Sequence, residues 1–149
     1  MRKAFKWRIY PTARQKLALG VMLETHRRLY NQALAERNTA WEERQASVSY
    51  GDQSARLKDA RANNTYLAAT NFSSCQATLR RLDRAFQAFF RRLKAGEAPG
   101  YPRFKGWNLF DTVEFPSYGD GCKLEGALVY FQPIGQVKVK LHRPVEGVI

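Results

Sequence analysis

Cysteine, methionine and histidine occur only twice each in this sequence. Cys75 and Cys122 lie far apart, and no CxxC occurs, so neither a disulfide framework nor a zinc ribbon can be read from the chain. His26 and His142 are too distant in sequence from other ligand types to argue for a metal site. Acids are scarce too, with 13 Asp and Glu against 25 Lys and Arg. Two-metal phosphodiester cleavage needs clustered carboxylates, and the acids here are scattered. No window reaches the roughly 18 apolar residues of a membrane span. The opening residues, MRKAFKWRIY, alternate basic and apolar and lack the apolar block of a signal peptide. A reduced, cytoplasmic setting with no membrane partner is expected.

Positive charge and apolar bulk are what the chain has. It carries +12 at pH 7, with 44% hydrophobic and 13% aromatic residues over 149 positions. That is material for one domain, or for two small ones sharing a core. A surface of this sign attracts a polyanion and releases its counterions, which puts nucleic acid ahead of a membrane surface or an acidic protein.

Residues 3 to 10 alternate, with Phe5, Trp7 and Ile9 on one face and Lys6, Arg8 and Tyr10 on the other, as in a strand with one basic side. Thr12 and Gln15 have capping-box spacing and open a helix reaching about Gln45, with Leu17, Val21, Leu29, Ala33, Leu34 and Trp41 as its apolar stripe. A break is expected at residues 47–51, then a short helix from about Gln53 to Ala62, stopped by Asn63-Asn64. The clearest helix runs from about Asn71 to Leu93. Cys75, Leu79, Leu82, Phe86 and Phe89 lie in its continuous seam, so Cys75 reads as core. Its other faces carry Arg80, Arg81, Arg84, Arg91, Arg92 and Lys94 against one acid, Asp83.

Beyond Lys94 come glycine and proline, then strand-like stretches at residues 112–115, 128–131 and 136–141. In the last, Lys138 and Lys140 face away from Val137 and Val139. The lone first strand needs partners from the end of the chain. The expected fold is therefore α+β, a helical lobe inserted into a small antiparallel β-barrel. Its boundaries are 1–10 and 96–149 for the barrel and 11–95 for the helices.

Four segments in order resemble the TnpB/OrfB family of transposon-encoded, RNA-guided DNA endonucleases: KAFKWRIYPT at the start, LYNQAL from Leu29, LRRLDRAFQAFF from Leu79 with GYPRFK from Gly100, and IGQVKVKLHRPVEG from Ile134. The resemblance implies that the barrel is a wedge domain of oligonucleotide-binding, OB-like type, interrupted by a helical recognition lobe. It also implies as partners a guide RNA made from the transposon end and a double-stranded target DNA, beside which the protein reads a short motif. The family cuts with a RuvC-like carboxylate trio holding divalent metal, and it carries a zinc ribbon. Nothing in these residues corresponds to either, so no cofactor and no cleavage are expected from them alone.

The candidate nucleic-acid contacts are Lys3, Lys6, Arg8, Lys138 and Lys140 on the strands, and Arg80, Arg81, Arg84, Arg91 and Arg92 on the long helix. Arg103 and Lys105, set between Tyr101 and Phe104, form a loop suited to backbone contact and stacking. Gln76 can pair with adenine in two places, and Tyr50 and Ser54 fall where the resemblance puts the motif-reading side of the lobe. Each of these three reads equally well as an ordinary surface residue. His142 reads as a strand-end structural residue, and Cys122 is given no role. Two other readings stand beside this one: a stand-alone helix-turn-helix-like regulator or transposase accessory, and a truncated gene product without function.

Overall fold

The computed structural model describes residues 2–143, 145 and 147–149. In chain order the elements are β1 (Arg8–Tyr10), α1 (Ala13–Arg44), α2 (Tyr50–Ala62), α3 (Thr65–Ala69), α4 (Phe72–Lys94), β2 (Cys122–Glu125), β3 (Leu128–Phe131) and β4 (Gly135–Lys140). The mixed α and β character and the pairing of both chain ends are as expected, but the barrel is not. The strands form an open antiparallel sheet in the order β1-β4-β3-β2. Four strands of three to six residues leave β1 and β2 as unjoined edges, too little ladder to close.

The Thr12–Gln15 capping box opens α1 as read, with Gln15 N–H donating to the Thr12 hydroxyl at 3.2 Å. The stripe behind it needs correction. Leu17, Val21 and Trp41 are 75%, 50% and 60% exposed, while Met22, His26, Tyr30, Arg37 and Ala40 are buried. Leu29, Ala33 and Leu34 of the expected stripe are buried, and two polar side chains, His26 and Arg37, hold core positions beside them that an apolar count passes over.

α2 begins three residues earlier than expected because Ser49 and Asp52 form a second capping box. α3, capped by Asn64, was not anticipated. α4 follows its expected span within a residue or so, with Cys75, Leu79, Leu82 and Phe86 buried against Leu34, Leu57 and Phe110. Residues 112–115 form no ladder; Phe115 instead lies 5.9 Å from Phe131, and β2 takes the hairpin position beside β3. The first strand pairs only at residues 8–10, opposite β4, although the alternation of burial runs back to Phe5.

Sheet and helices meet at Asn71. Its Oδ1 accepts from Ser74 N–H at 2.8 Å and so caps α4, while its Nδ2 donates to Asp120 at 2.9 Å and to Gln132 at 3.2 Å. Gly121 runs alongside at φ +79, where an added Cβ would sit 2.5 Å from that same nitrogen. Only glycine suits both the backbone angle and the approach. At the other end Gln15 donates to the Gln136 carbonyl at 2.7 Å.

Candidate nucleic-acid interface

A helix advances about 100° per residue, so Arg80, Arg84 and Arg91 lie along one edge, and Arg81 and Arg92 along the other, of an arc of about 120° opposite the seam of α4. Arg84, Arg91 and Arg92 are exposed, and among the described residues none of the five pairs with an acid. The one acid of that helix, Asp83, is taken by Arg37, whose guanidinium reaches it at 3.1 Å.

Along the α2 side of the arc four predicted residues come together. Gln76 donates to the Ser54 hydroxyl at 3.2 Å, and the Arg80 guanidinium sits 5.4 Å from the centre of the Tyr50 ring. Tyr50 and Ser54 are one turn apart on α2, as are Gln76 and Arg80 on α4, so the two pairs face each other across the helix contact. On the far side Arg81 lies 4.8 Å over the Phe110 ring.

The loop after α4 is anchored to α1. Asn31 accepts from Lys105 N–H at 2.8 Å and donates to its carbonyl at 2.9 Å, and Arg27 donates to the same carbonyl at 2.9 Å. Lys105 Nζ rests 5.8 Å from the Tyr30 ring centre, so this lysine is half-buried, whereas Arg103 is exposed. Tyr101 plugs against Phe86 and Phe89, while Phe104 is 54% exposed.

On the sheet, Arg8 lies opposite Lys140 and Tyr10 opposite Lys138, so all four side chains share one face. Like charges directly opposed cost stability, and a bound polyanion would repay that cost. The same face continues through Tyr130 and Lys123; Glu125, its one acid within the strands, accepts from Gln136 at 2.9 Å. Lys3 and Lys6 are exposed just before β1.

Sequence reasoning missed Arg37 and His26. Arg37 is 8% exposed, donates to Gln53 at 3.0 Å and lies 4.8 Å over Phe86, tying α1 to α2 and α4. The available signal was its place one turn after Leu34. Near the start of α1, Arg27 and Arg28 hold the Glu24 carboxyl down at about 2, with burial opposing them. Burial lowers His26 from its ordinary value and raises Cys75. Among the described residues no three His, Cys, Asp or Glu side chains gather to hold a metal ion, and no helix is long and apolar enough to cross a membrane.

These features define a class: a basic α+β module with one group of cations on a helix face and another on a sheet face, the five helix-face arginines having no acid partner among the described residues. Residues 1–46 match the family of OrfB (IS605-type) helix-turn-helix domains. A Streptomyces pristinaespiralis protein named "Putative RNA-guided DNA endonuclease" is 35% identical over 107 residues, covering 70% of this chain and 25% of that protein. An Escherichia coli K12 protein named "Putative RNA-guided DNA endonuclease InsQ" is 26% identical over 99% of this chain and 36% of its own length. The chain belongs to the TnpB/OrfB family. It spans between a quarter and about a third of the length of these relatives. The matched helix-turn-helix segment holds one unbroken helix, α1, so a two-helix motif would have to draw on α2.

Proposed function

We propose that these residues are the nucleic-acid-binding front part of a TnpB-like RNA-guided DNA endonuclease. They hold guide RNA and target DNA, and they read a target-adjacent motif through the α2–α4 face. The observation that carries this reading is the arginine arc of α4, unpaired with acids among the described residues and bordered by the Tyr50–Ser54–Gln76–Arg80 cluster. Arginines free of acids serve phosphates, while a glutamine held beside a tyrosine and a hydroxyl suits a base edge. The sheet face, with Arg8, Lys138 and Lys140 around Tyr10, grips backbone.

No cutting chemistry is assigned to these residues, and no cofactor: their acids are few and mostly engaged or dispersed. Cleavage of DNA by the purified chain in magnesium would refute that assignment. The binding test uses protein freed of RNA, titrated with the structured RNA from its own flanking locus, an unrelated RNA of equal length, and duplex DNA. Preference for its own RNA supports the proposal. Equal affinity for both RNAs contradicts it, and sequence-specific duplex binding without RNA favours a stand-alone regulator using α1 and α2. Replacing Arg84, Arg91 and Arg92 together by Gln should weaken binding about uniformly and lower the salt slope by about three.

A further inference from the structure

Between the last turns of α1 and α4 lies an open groove of about 350 Å3, lined mainly by Trp41, Phe86, Phe89, Phe90, Leu93 and Tyr101. It lies on the seam side of α4, away from the arginine arc, and the binding scheme above leaves it unused. Its rings are already braced. Tyr101 stands edge-on to Phe86 and Phe89 with centroids 5.6 and 5.2 Å apart, and Phe89 meets Phe90 at 5.2 Å. Yet Trp41, Phe90 and Leu93 are 60%, 53% and 54% exposed, an apolar surface the described residues do not cover.

The charge around it indicates the occupant. Arg44 follows Trp41 by three residues and shares its side of α1, Lys94 lies about 40° beyond Phe90 towards Arg80 on α4, and Arg103 follows Tyr101 by two, so the three stand outside the groove's own lining. Among the described residues none of these three cations pairs with an acid. Burial raises the Tyr101 phenol, the nearby Glu42 carboxylate adds to that, and the phenol donates to the Asn38 side-chain oxygen. Exposed aromatic rings with three cations near them and one carboxylate, Glu42, beside Tyr101 match the chemistry of an unpaired nucleotide, with bases stacked on rings and phosphates on the outlying cations. A second copy of the chain would instead bring two +12 molecules together.

We propose that this groove takes unstacked nucleobases of a single-stranded stretch, packed on Trp41 and Phe90, with the flanking phosphates on Arg44, Lys94 and Arg103. This rests on the nucleic-acid reading above and adds a site for single strands.

The test measures fluorescence anisotropy of three labelled probes about a dozen nucleotides long: a single strand, the same backbone without bases, and a duplex. The full chain is compared with Trp41→Ala/Phe90→Ala, whose targets are exposed enough to leave the fold intact by circular dichroism, and with the conservative Trp41→Phe. The double variant should bind the base-bearing single strand about ten-fold or more weakly, and the base-free backbone and duplex as before. Trp41→Phe should restore most of the affinity. Unchanged single-strand affinity, equal loss on the base-free backbone, or a concentration-dependent dimer that the double variant abolishes would each overturn the groove assignment. Failure of the unaltered chain to bind any probe would overturn the functional reading itself, which is a distinct result.

Discussion

The α2–α4 face and the outer face of the sheet are both basic, but they hold their cations in opposite ways. On the helices the central side chains are fixed by neighbours: Gln76 on Ser54, Arg80 over Tyr50, Arg81 over Phe110. On the sheet Lys138 and Lys140 are placed by strand register, and Arg8, over the Tyr10 ring at 5.7 Å, is the one of the three cations with an aromatic contact among the described residues. A side chain already held loses little freedom on meeting a particular base edge. A loose one serves a phosphate, which tolerates a range of positions. On the proposed reading, the helical face serves discrimination and the sheet grip.

The largest test of this contrast removes the footing of the helical face. Leu82 is fully buried in the α4 seam, and Leu82→Ala should cost about 2–5 kcal/mol of folding stability in chemical denaturation. A loss below about 1 kcal/mol would mean that the seam does not set the position of the helical face. Next comes the joint between the two faces. Gly121→Ala places a Cβ against the Asn71 amide at a positive φ and should cost about 1–3 kcal/mol. It should also disturb the hydrogen bonds of Asn71 to Asp120 and Gln132, visible as faster hydrogen exchange at the start of α4.

A finer test separates the two faces in binding. Gln76→Ala should lose about 1–3 kcal/mol of discrimination at one base position and leave the salt slope alone. Lys138→Gln with Lys140→Gln should lower the slope by about two and weaken all sequences alike. If both variants change only the salt slope, the helical face grips as the sheet does, and the contrast collapses.

How much of this was legible beforehand follows from where the chemistry sits. α4 was readable because its seam is apolar at regular spacing, and its arginine arc is the complement of that seam. β3 and β4 were readable from alternation and turn residues. The stripe of α1 was misread because His26 and Arg37 are core positions filled by polar groups with specific partners far away in sequence. The start of α2 was missed because Val48 and Gly51 look like a break, whereas Ser49 and Asp52 close a cap across them. The meeting of Gln76 with Ser54 depends on how two helices cross, which local spacing does not encode. The closed barrel was expected from the lone first strand's need of partners, and the family resemblance gave it an oligonucleotide-binding type; the strands are too short to close.

The smallest effect concerns His26, which is fully buried between α1 and α4. Its Nδ1 lies 2.7 Å from the Met22 carbonyl, which can only accept, so that nitrogen carries the proton. Nε2 is then an acceptor, and the single Ser74 hydroxyl proton is shared between it at 2.9 Å and the Asn71 carbonyl at 2.8 Å. Burial lowers the His26 pKa, so below the ordinary value of about 6.5 the unfolded chain binds a proton that the fold resists. Stability from this group is complete above that pH and falls as acid is added, down to the folded value. Glu24 contributes only lower, between its ordinary 4.5 and about 2. Denaturation midpoints should therefore decline between about pH 7 and pH 5, and His26→Gln should flatten that decline while leaving the more acidic one in place. An unchanged slope in the variant would show that the buried imidazole does not link the helical core to pH.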